Sequence, residues 1–235
     1  MKIRNNGFIY VFSETSDGNM SYTWGGQNEV DINRSKFLKK YSLEPTKCVK
    51  ASLVHGTRIK IVTEINCDCD KEYVCDSLIT NSKKVVLCMV TADCFPLVIF
   101  DPKTKLISLT HLGHRGVSAK LTKKVIKKMQ KLGSEPTNLV AIIGAGIRKE
   151  SYVFDDVTQK NDPEWGNFLR NTKNGKISVD LVGFIVRQLT ESGVMQNNIR
   201  DLEIDTAHGN KYFSHYRAQL LNEKEGRFLS AVKIT

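Results

Sequence analysis

Val85-Val86-Leu87-Cys88-Met89-Val90 is an unbroken apolar run, too short to span a membrane and too uniform for a strand with one wet face. Such a run suits a strand buried on both faces. Moving outward from it, Leu97-Val98-Ile99-Phe100 follows Pro96, Asp101-Pro102-Lys103-Thr104 carries turn chemistry, and Leu106-Ile107-Ser108-Leu109-Thr110 returns. That pair reads as a hairpin. Upstream, residues 8–12, 48–54 and 58–62 are expected strands, and 13–26 a loop. A helix capped by Asp31 or Asn33 is expected to run through Phe37, Leu38 and Tyr41. Downstream, Leu121, Val125, Met129 and Leu132 recur at helical spacing among lysines, which predicts an amphipathic helix from near Val117. Residues 139–143, 199–205 and 228–234 are expected strands, and 179–192 a helix stopped by Gly193. Hairpins break a strict strand–helix alternation, so the pattern favours an α+β fold with mixed β-sheets over a doubly wound one.

The chain has 235 residues, 40% of them apolar, enough for one large core. No Pro/Gly/Ser linker divides it, so one domain over 1–235 is expected. It contains no apolar stretch of about 18 residues and no signal-peptide pattern at its start, which predicts a cytoplasmic protein without a membrane span. Its six cysteines, at 48, 67, 69, 75, 88 and 94, follow no framework spacing and read as reduced thiols. Cys67, Cys69 and Cys75 lie close enough for a second metal site but lack a Cys-x-x-Cys knuckle. The net charge of +10 suits an anionic partner. Its largest cluster, Lys120 to Lys131, reads as the solvated face of the amphipathic helix, so nucleic acid is not the expected partner.

The chemistry concentrates in three places. His55 follows the run Ser52-Leu53-Val54, Cys94 follows Val90-Thr91-Ala92-Asp93, and His111 and His114 sit in Thr110-His111-Leu112-Gly113-His114-Arg115-Gly116. Imidazole and thiolate are the donors zinc prefers, and three protein ligands leave a fourth position open for catalysis. His55, Cys94 and His111 are therefore the candidate metal set. Asp93, next to Cys94, would point to the opposite face of an extended strand, which favours a structural hydrogen-bonding role. The rival reading of the same residues is a hydrolase with Cys94 as nucleophile and His111 as base. A multicopper oxidase needs more imidazoles than the five histidines supply. A basic binding module without enzymatic activity is the remaining alternative.

Thr91-Ala92-Asp93-Cys94-Phe95-Pro96, His111-Leu112-Gly113-His114-Arg115-Gly116, Val54-His55-Gly56 and Asp76-Ser77-Leu78-Ile79-Thr80 resemble, in order, motifs of the YfiH/laccase-domain family. Gly144-Ala145-Gly146-Ile147 with Tyr152, Asp180-Leu181, Phe213-Ser214 with Arg217, and Gly226-Arg227 continue the resemblance, which covers roughly residues 30 to 230. The resemblance implies a layered α/β/β/α fold. It implies a zinc-dependent purine nucleoside phosphorylase, with adenosine deaminase and methylthioadenosine phosphorylase activities also attributed to the family. Its ligands fall on His55, Cys94 and His111, holding one catalytic Zn2+. Purine nucleoside and phosphate are the expected partners, and a homodimer is left open.

The chain departs from the family at His114 for Trp, Ala145 for Pro, Val153 for Glu, Asp205 for Cys, and His215-Tyr216 within the Phe-Ser-Tyr-Arg-Arg motif. Phosphorolysis needs an anion site, and the planar fork of arginine suits phosphate. Arg34, Arg115 and Arg217 are the candidates. Arg115 and His114, beside the ligand His111, are the expected catalytic side chains. For His114, stacking in place of the missing Trp is favoured over a role as fourth ligand or base. Deamination would need a carboxylate shuttle, for which Asp76, Asp93 and Asp205 are available. His208 and His215 are expected to serve in loops.

Overall fold

A computed structural model describes residues 1–5, 7–64 and 72–235 of the chain. Two six-stranded mixed sheets dominate it. The first runs Lys2–Asn5, Phe8–Phe12, Phe228–Ile234, Val86–Thr91, Cys48–Ser52, Glu72–Val74, antiparallel up to Val86–Thr91 and parallel beyond. The second runs Ile199–Asp201, Val140–Ile143, Phe95–Phe100, Ile107–Leu112, Ser77–Thr80, Ile59–Ile61, with parallel pairs only at its two edges. A small antiparallel sheet joins Val153–Phe154, Ile177–Val179 and Leu169–Asn171.

The opening apolar run explains the layering. In Val86–Thr91, Leu87 and Met89 enter a core shared with Val98, Phe100 and Leu109 of the other sheet. Val86 and Cys88 face the opposite way, toward Phe37 and Leu38 of helix α1 (Gln27–Lys40). Both faces of the strand are dry, so a polar side chain there is costly, and Thr91 at its end carries a buried hydroxyl without a hydrogen-bond partner among the described residues. The second sheet repeats the logic. Leu97, Ile99 and Ala141 turn outward to meet Val125 and Met129, while Val98 and Ile142 turn inward. Burying each of the larger of these side chains, Val, Leu, Ile or Met, stabilises by about 1.5–3 kcal/mol. The order helix, sheet, sheet, helix is the expected α/β/β/α arrangement of an α+β chain. Among the described residues no helix is long and apolar enough to cross a membrane.

Several boundaries differ from the sequence expectation. Helix α1 starts at Gln27, a turn earlier than expected, because Gly26 supplies the extended N-cap. Asp31 and Asn33 instead tie the preceding loop down, Asp31 accepting from Tyr22 Oη and Asn33 donating to Asn19 O. The lysine-rich helix is two helices. Helix α2 (His114–Ser118) breaks at Lys120, which takes a left-handed φ of 59°, before α3 (Leu121–Lys131) begins. Asp180 caps α4 (Leu181–Glu191) through the Gly183 N–H, so Val179 belongs to a strand rather than to the helix. Helix α5 (His215–Leu221), capped by Ser214, was not expected at all. The strand expected over 199–205 ends at Asp201, because Glu203 adopts a φ of 56°.

Candidate metal centre

His111 belongs to Ile107–Leu112 of the second sheet, where it lies opposite Pro96. It is buried, and its ring Nδ1 is 3.1 Å from Asp76 Oδ1. Asp76 is fully buried just ahead of Ser77–Thr80, and its own carbonyl accepts the His111 N–H at 2.7 Å. The Asp76 carboxylate also accepts backbone N–H groups of Val54 (3.2 Å), His55 (2.8 Å) and Gly56 (2.8 Å). Burial resists ionisation of Asp76, but His111 and the amides outweigh it and hold the carboxyl below its ordinary value. One charge thus fixes both the His111 ring and the turn that carries His55. That turn follows Cys48–Ser52 of the first sheet, and His55 takes a left-handed φ of 56°, a conformation costing about 1–3 kcal/mol for a non-glycine residue.

Cys94 lies in the link that carries the chain from Val86–Thr91 of the first sheet to Phe95–Phe100 of the second. Asp93 in this link has a φ of 74°, so the alternation expected of an extended strand does not apply. Its carboxylate accepts Thr206 Oγ1 and the Tyr216 N–H, each at 2.7 Å. The hydrogen-bonding role expected for Asp93 is the one its contacts describe, although it also borders the cavity.

The three sequence candidates converge. The ligand atoms of His55, Cys94 and His111 all lie within 4.8 Å of one another, and the two imidazoles sit edge to face. Burial opposes the Cys94 thiolate, but His111 and His55 outweigh it and bring the thiol down to about 6. Burial likewise opposes a charged His111, while Cys94 and Asp76 push it up to about 9. Gly113 leaves room for the cluster: a Cβ there would lie 2.8 Å from Cys94 Sγ and 3.7 Å from His111 Nε2. Asp76 occupies Nδ1, so Nε2 of His111 faces the group. An ionisable thiolate, two oriented imidazoles and an absent Cβ together fit a metal ion.

All three residues line a cavity of about 700 Å3. Tyr152, Phe154 and Tyr216 form an aromatic wall with mutual edge contacts. Burial, with Cys94 nearby, pushes the Tyr152 hydroxyl up to about 12. His215, Gln219 and Arg227 give the wall its polar part.

The other sequence candidates lie elsewhere. Arg34 packs over the Tyr22 ring and donates to Met20 O, away from the cavity. Arg217 spends its guanidinium on the carbonyls of Thr206, Gly209 and Tyr212 and on Glu223. Arg115 is exposed on α2 and does not line the cavity. His114 faces a second cavity of about 220 Å3, which shares Tyr152 and Phe154 with the first. Burial and Arg115 hold the His114 imidazole below its ordinary value. Asp205 accepts from Ser151 Oγ and the Ala207 N–H, and His208 lines an open groove with Arg148. Cys75 is a free thiol in the inter-sheet core, pushed up to about 11 by burial; Cys67 and Cys69 lie outside the described residues.

Sequence reasoning missed Arg227 as a wall residue, and His215 with its partner Glu225. It also considered Asp76 as a proton shuttle rather than as the anchor of His111. The available signal was an acid placed directly before a buried strand, a position that demands donors.

The chain is similar to proteins of known name and structure. A purine nucleoside phosphorylase of Rickettsia prowazekii is 32% identical over 169 residues, 68% of each chain. One of Rickettsia conorii is 28% identical over 97% of each chain. The crystal structure of YlmD from Geobacillus stearothermophilus superposes with a TM-score of 0.88 at 24% identity, covering 97% of this chain and 92% of that one. The family model described as multi-copper polyphenol oxidoreductase laccase matches residues 4–235. With the fold and these matches agreeing, the chain belongs to that laccase-like family, the YfiH family its motifs resemble.

Proposed function

We propose that this chain is a zinc-dependent purine nucleoside phosphorylase. The observation that carries the reading is the convergence of His55, Cys94 and His111 on the wall of a cavity large enough for a nucleoside. Relatives named purine nucleoside phosphorylase supply the substrate class. Two imidazoles and one thiolate are a zinc-type donor set with one position open to a ligand. Bound there, zinc would supply a Lewis acid that polarises a substrate oxygen. The aromatic wall of Tyr152, Phe154 and Tyr216 would hold a purine by stacking. Arg227 is the arginine that lines the cavity and is the best placed of the arginines for phosphate, ahead of Arg34, Arg115 and Arg217.

Phosphorolysis is favoured over adenosine deamination. Asp76 and Asp93 already accept several donors each, and Asp205 is turned away, so none of the three is free to shuttle a proton. Methylthioadenosine is a further substrate of the same kind. Among the described residues, copper chemistry of the multinuclear type finds no second imidazole cluster, since His114, His208 and His215 stand in separate surroundings. The free thiols of Cys48, Cys75, Cys88 and Cys94 suit a reducing compartment such as a cytoplasm.

The test is metal analysis of the purified protein followed by chromatography of adenosine, inosine, guanosine and methylthioadenosine reactions with and without phosphate. About one zinc per chain and phosphate-dependent release of base with ribose-1-phosphate are expected. Absence of turnover in the zinc-loaded protein sinks the reading. A second reading has one observation in its favour: Cys94, His111 and Asp76 also line up as nucleophile, base and orienting acid of a hydrolase. Activity that survives chelation but dies on thiol alkylation would establish that reading instead.

A further inference from the structure

Three polar side chains of the cavity wall converge on one carboxylate that the metal centre does not use. Glu225 Oε1 accepts from His215 Nδ1 at 2.6 Å and from Gln219 Nε2 at 2.8 Å. Its Oε2 accepts from Arg227 Nη1 at 2.8 Å. His215 and Gln219 belong to α5, and Arg227 immediately precedes the strand Phe228–Ile234. The Glu225 side chain is 9% exposed, whereas that of His215 is 53% exposed and lines the cavity. Burial resists its ionisation, but Arg227, Gln219 and His215 prevail and hold the Glu225 carboxyl below its ordinary value. An ionised carboxylate only accepts, so the hydrogen between the two sits on His215 Nδ1. Nε2 is then the nitrogen left to meet a ligand.

We infer that His215 and Glu225 form the acid/base pair that delivers the proton to the departing purine, with His215 the catalytic residue and Glu225 the positioning residue. This rests on the phosphorylase reading above. In that reaction a phosphate oxygen forms a bond to C1′ of the nucleoside while the C1′–N9 bond breaks, its electron pair leaving with the purine. The imidazolium of His215 gives its Nε2 proton to the purine, and the resulting neutral imidazole takes the proton that hydrogen phosphate brought. The products are neutral purine and ribose-1-phosphate, and His215 ends as it began. General acid catalysis of this kind contributes about 10²- to 10⁴-fold.

The competing role is a plain ion pair pinning the start of α5 to the loop before the last strand. His215→Gln separates the two, because its amide can still donate to Glu225 but cannot shuttle a proton. The zinc-loaded full chain is assayed with phosphate on inosine and on 4-nitrophenyl riboside, whose leaving group departs without protonation. For His215→Gln the kcat on inosine is expected to fall by about 10²-fold or more, while the nitrophenyl substrate stays within about fivefold of wild type. Inosine affinity by calorimetry is expected to stay within about threefold, and Glu225→Gln to lower kcat by about tenfold with little change in KM. Equal losses on both substrates, or an inosine kcat within about threefold of wild type, overturn the assignment. If His215→Gln does not fold by thermal melting, His215→Asn replaces it under the same criteria. A wild-type protein that, loaded with zinc and given phosphate, cleaves neither substrate marks failure of the phosphorylase reading itself, and the pair falls with it.

Discussion

Oδ1 of Asp76 lies 3.1 Å from Nδ1 of His111, and the same carboxylate takes the backbone N–H of His55. One buried charge therefore sets the geometry of two candidate metal ligands that arrive from different sheets. Asp76→Asn keeps the size but loses the charge, and is expected to weaken zinc affinity by about 10- to 100-fold, read by chelator competition. Asp76→Ala also strands the amides of Val54, His55 and Gly56, and hydrogen bonds to a charged group contribute about 1.5–3 kcal/mol each. It is expected to lower thermal stability clearly, where Asp76→Asn lowers it less. The pH dependence follows from the depressed carboxyl. Its stabilisation is complete above its ordinary value of 3.8 and is lost as acid protonates the folded protein below that value. The Asp76→Asn variant should lack this part of acid unfolding; an unchanged acid limb would place the stabilising charge elsewhere.

Gly113 tests whether the three candidate ligands are packed for an ion. Its backbone is ordinary extended chain, so alanine meets no conformational penalty there. The added Cβ would lie 2.8 Å from Cys94 Sγ, and the thiol must shift. Gly113→Ala is expected to fold with a melting temperature near wild type yet bind zinc at least about tenfold more weakly. Equal zinc affinity in the two proteins would show that the cluster tolerates displacement.

What could be read from the sequence followed from burial. Val85 to Val90 declares a strand dry on both sides, and its alternate residues do face the two cores. The grouping of His55, Cys94 and His111 was legible because zinc chemistry restricts residue type, and their ligand atoms do come together. Helix α5 was not legible, since Ala218 is its sole buried residue and no apolar stripe marks it. Nor was the choice among arginines. Arg217 and Arg227 look alike in a row of letters, yet one is consumed by carbonyls and the other reaches the cavity, a difference made entirely by long-range packing.

Cys94 alkylation in metal-free protein gives a direct pH readout. The thiol, brought down to about 6 by His111 and His55 against burial, is a thiolate above that pH and protonates as pH falls through it. The iodoacetamide rate at Cys94, followed by peptide mass spectrometry, is expected to titrate with a midpoint near that value. His111→Gln removes the larger of the two histidine contributions and should move the midpoint upward. Zinc should suppress the reaction at every pH if the thiolate is a ligand. A midpoint near the ordinary thiol range of about 8.5 would mean the two histidines do not act on Cys94.

Arg227 separates the cavity from the rest of the basic surface. Arg227 lines the cavity, and its guanidinium is braced by Glu225 and lies over the Trp24 ring. A planar fork loses its geometry when replaced by a point charge. Arg227→Lys is therefore expected to raise the KM for phosphate by about tenfold, the equivalent of one charge-assisted hydrogen bond, with less effect on the KM for nucleoside. Arg34→Gln should leave the phosphate KM unchanged, because Arg34 is engaged with Met20 and Tyr22 and does not line the cavity. Arg115→Gln provides the decisive contrast, since Arg115 sits four positions from His111 in the chain but not on the cavity wall. If Arg115→Gln raises the phosphate KM and Arg227→Lys does not, the anion site lies at the start of α2 rather than beside Glu225.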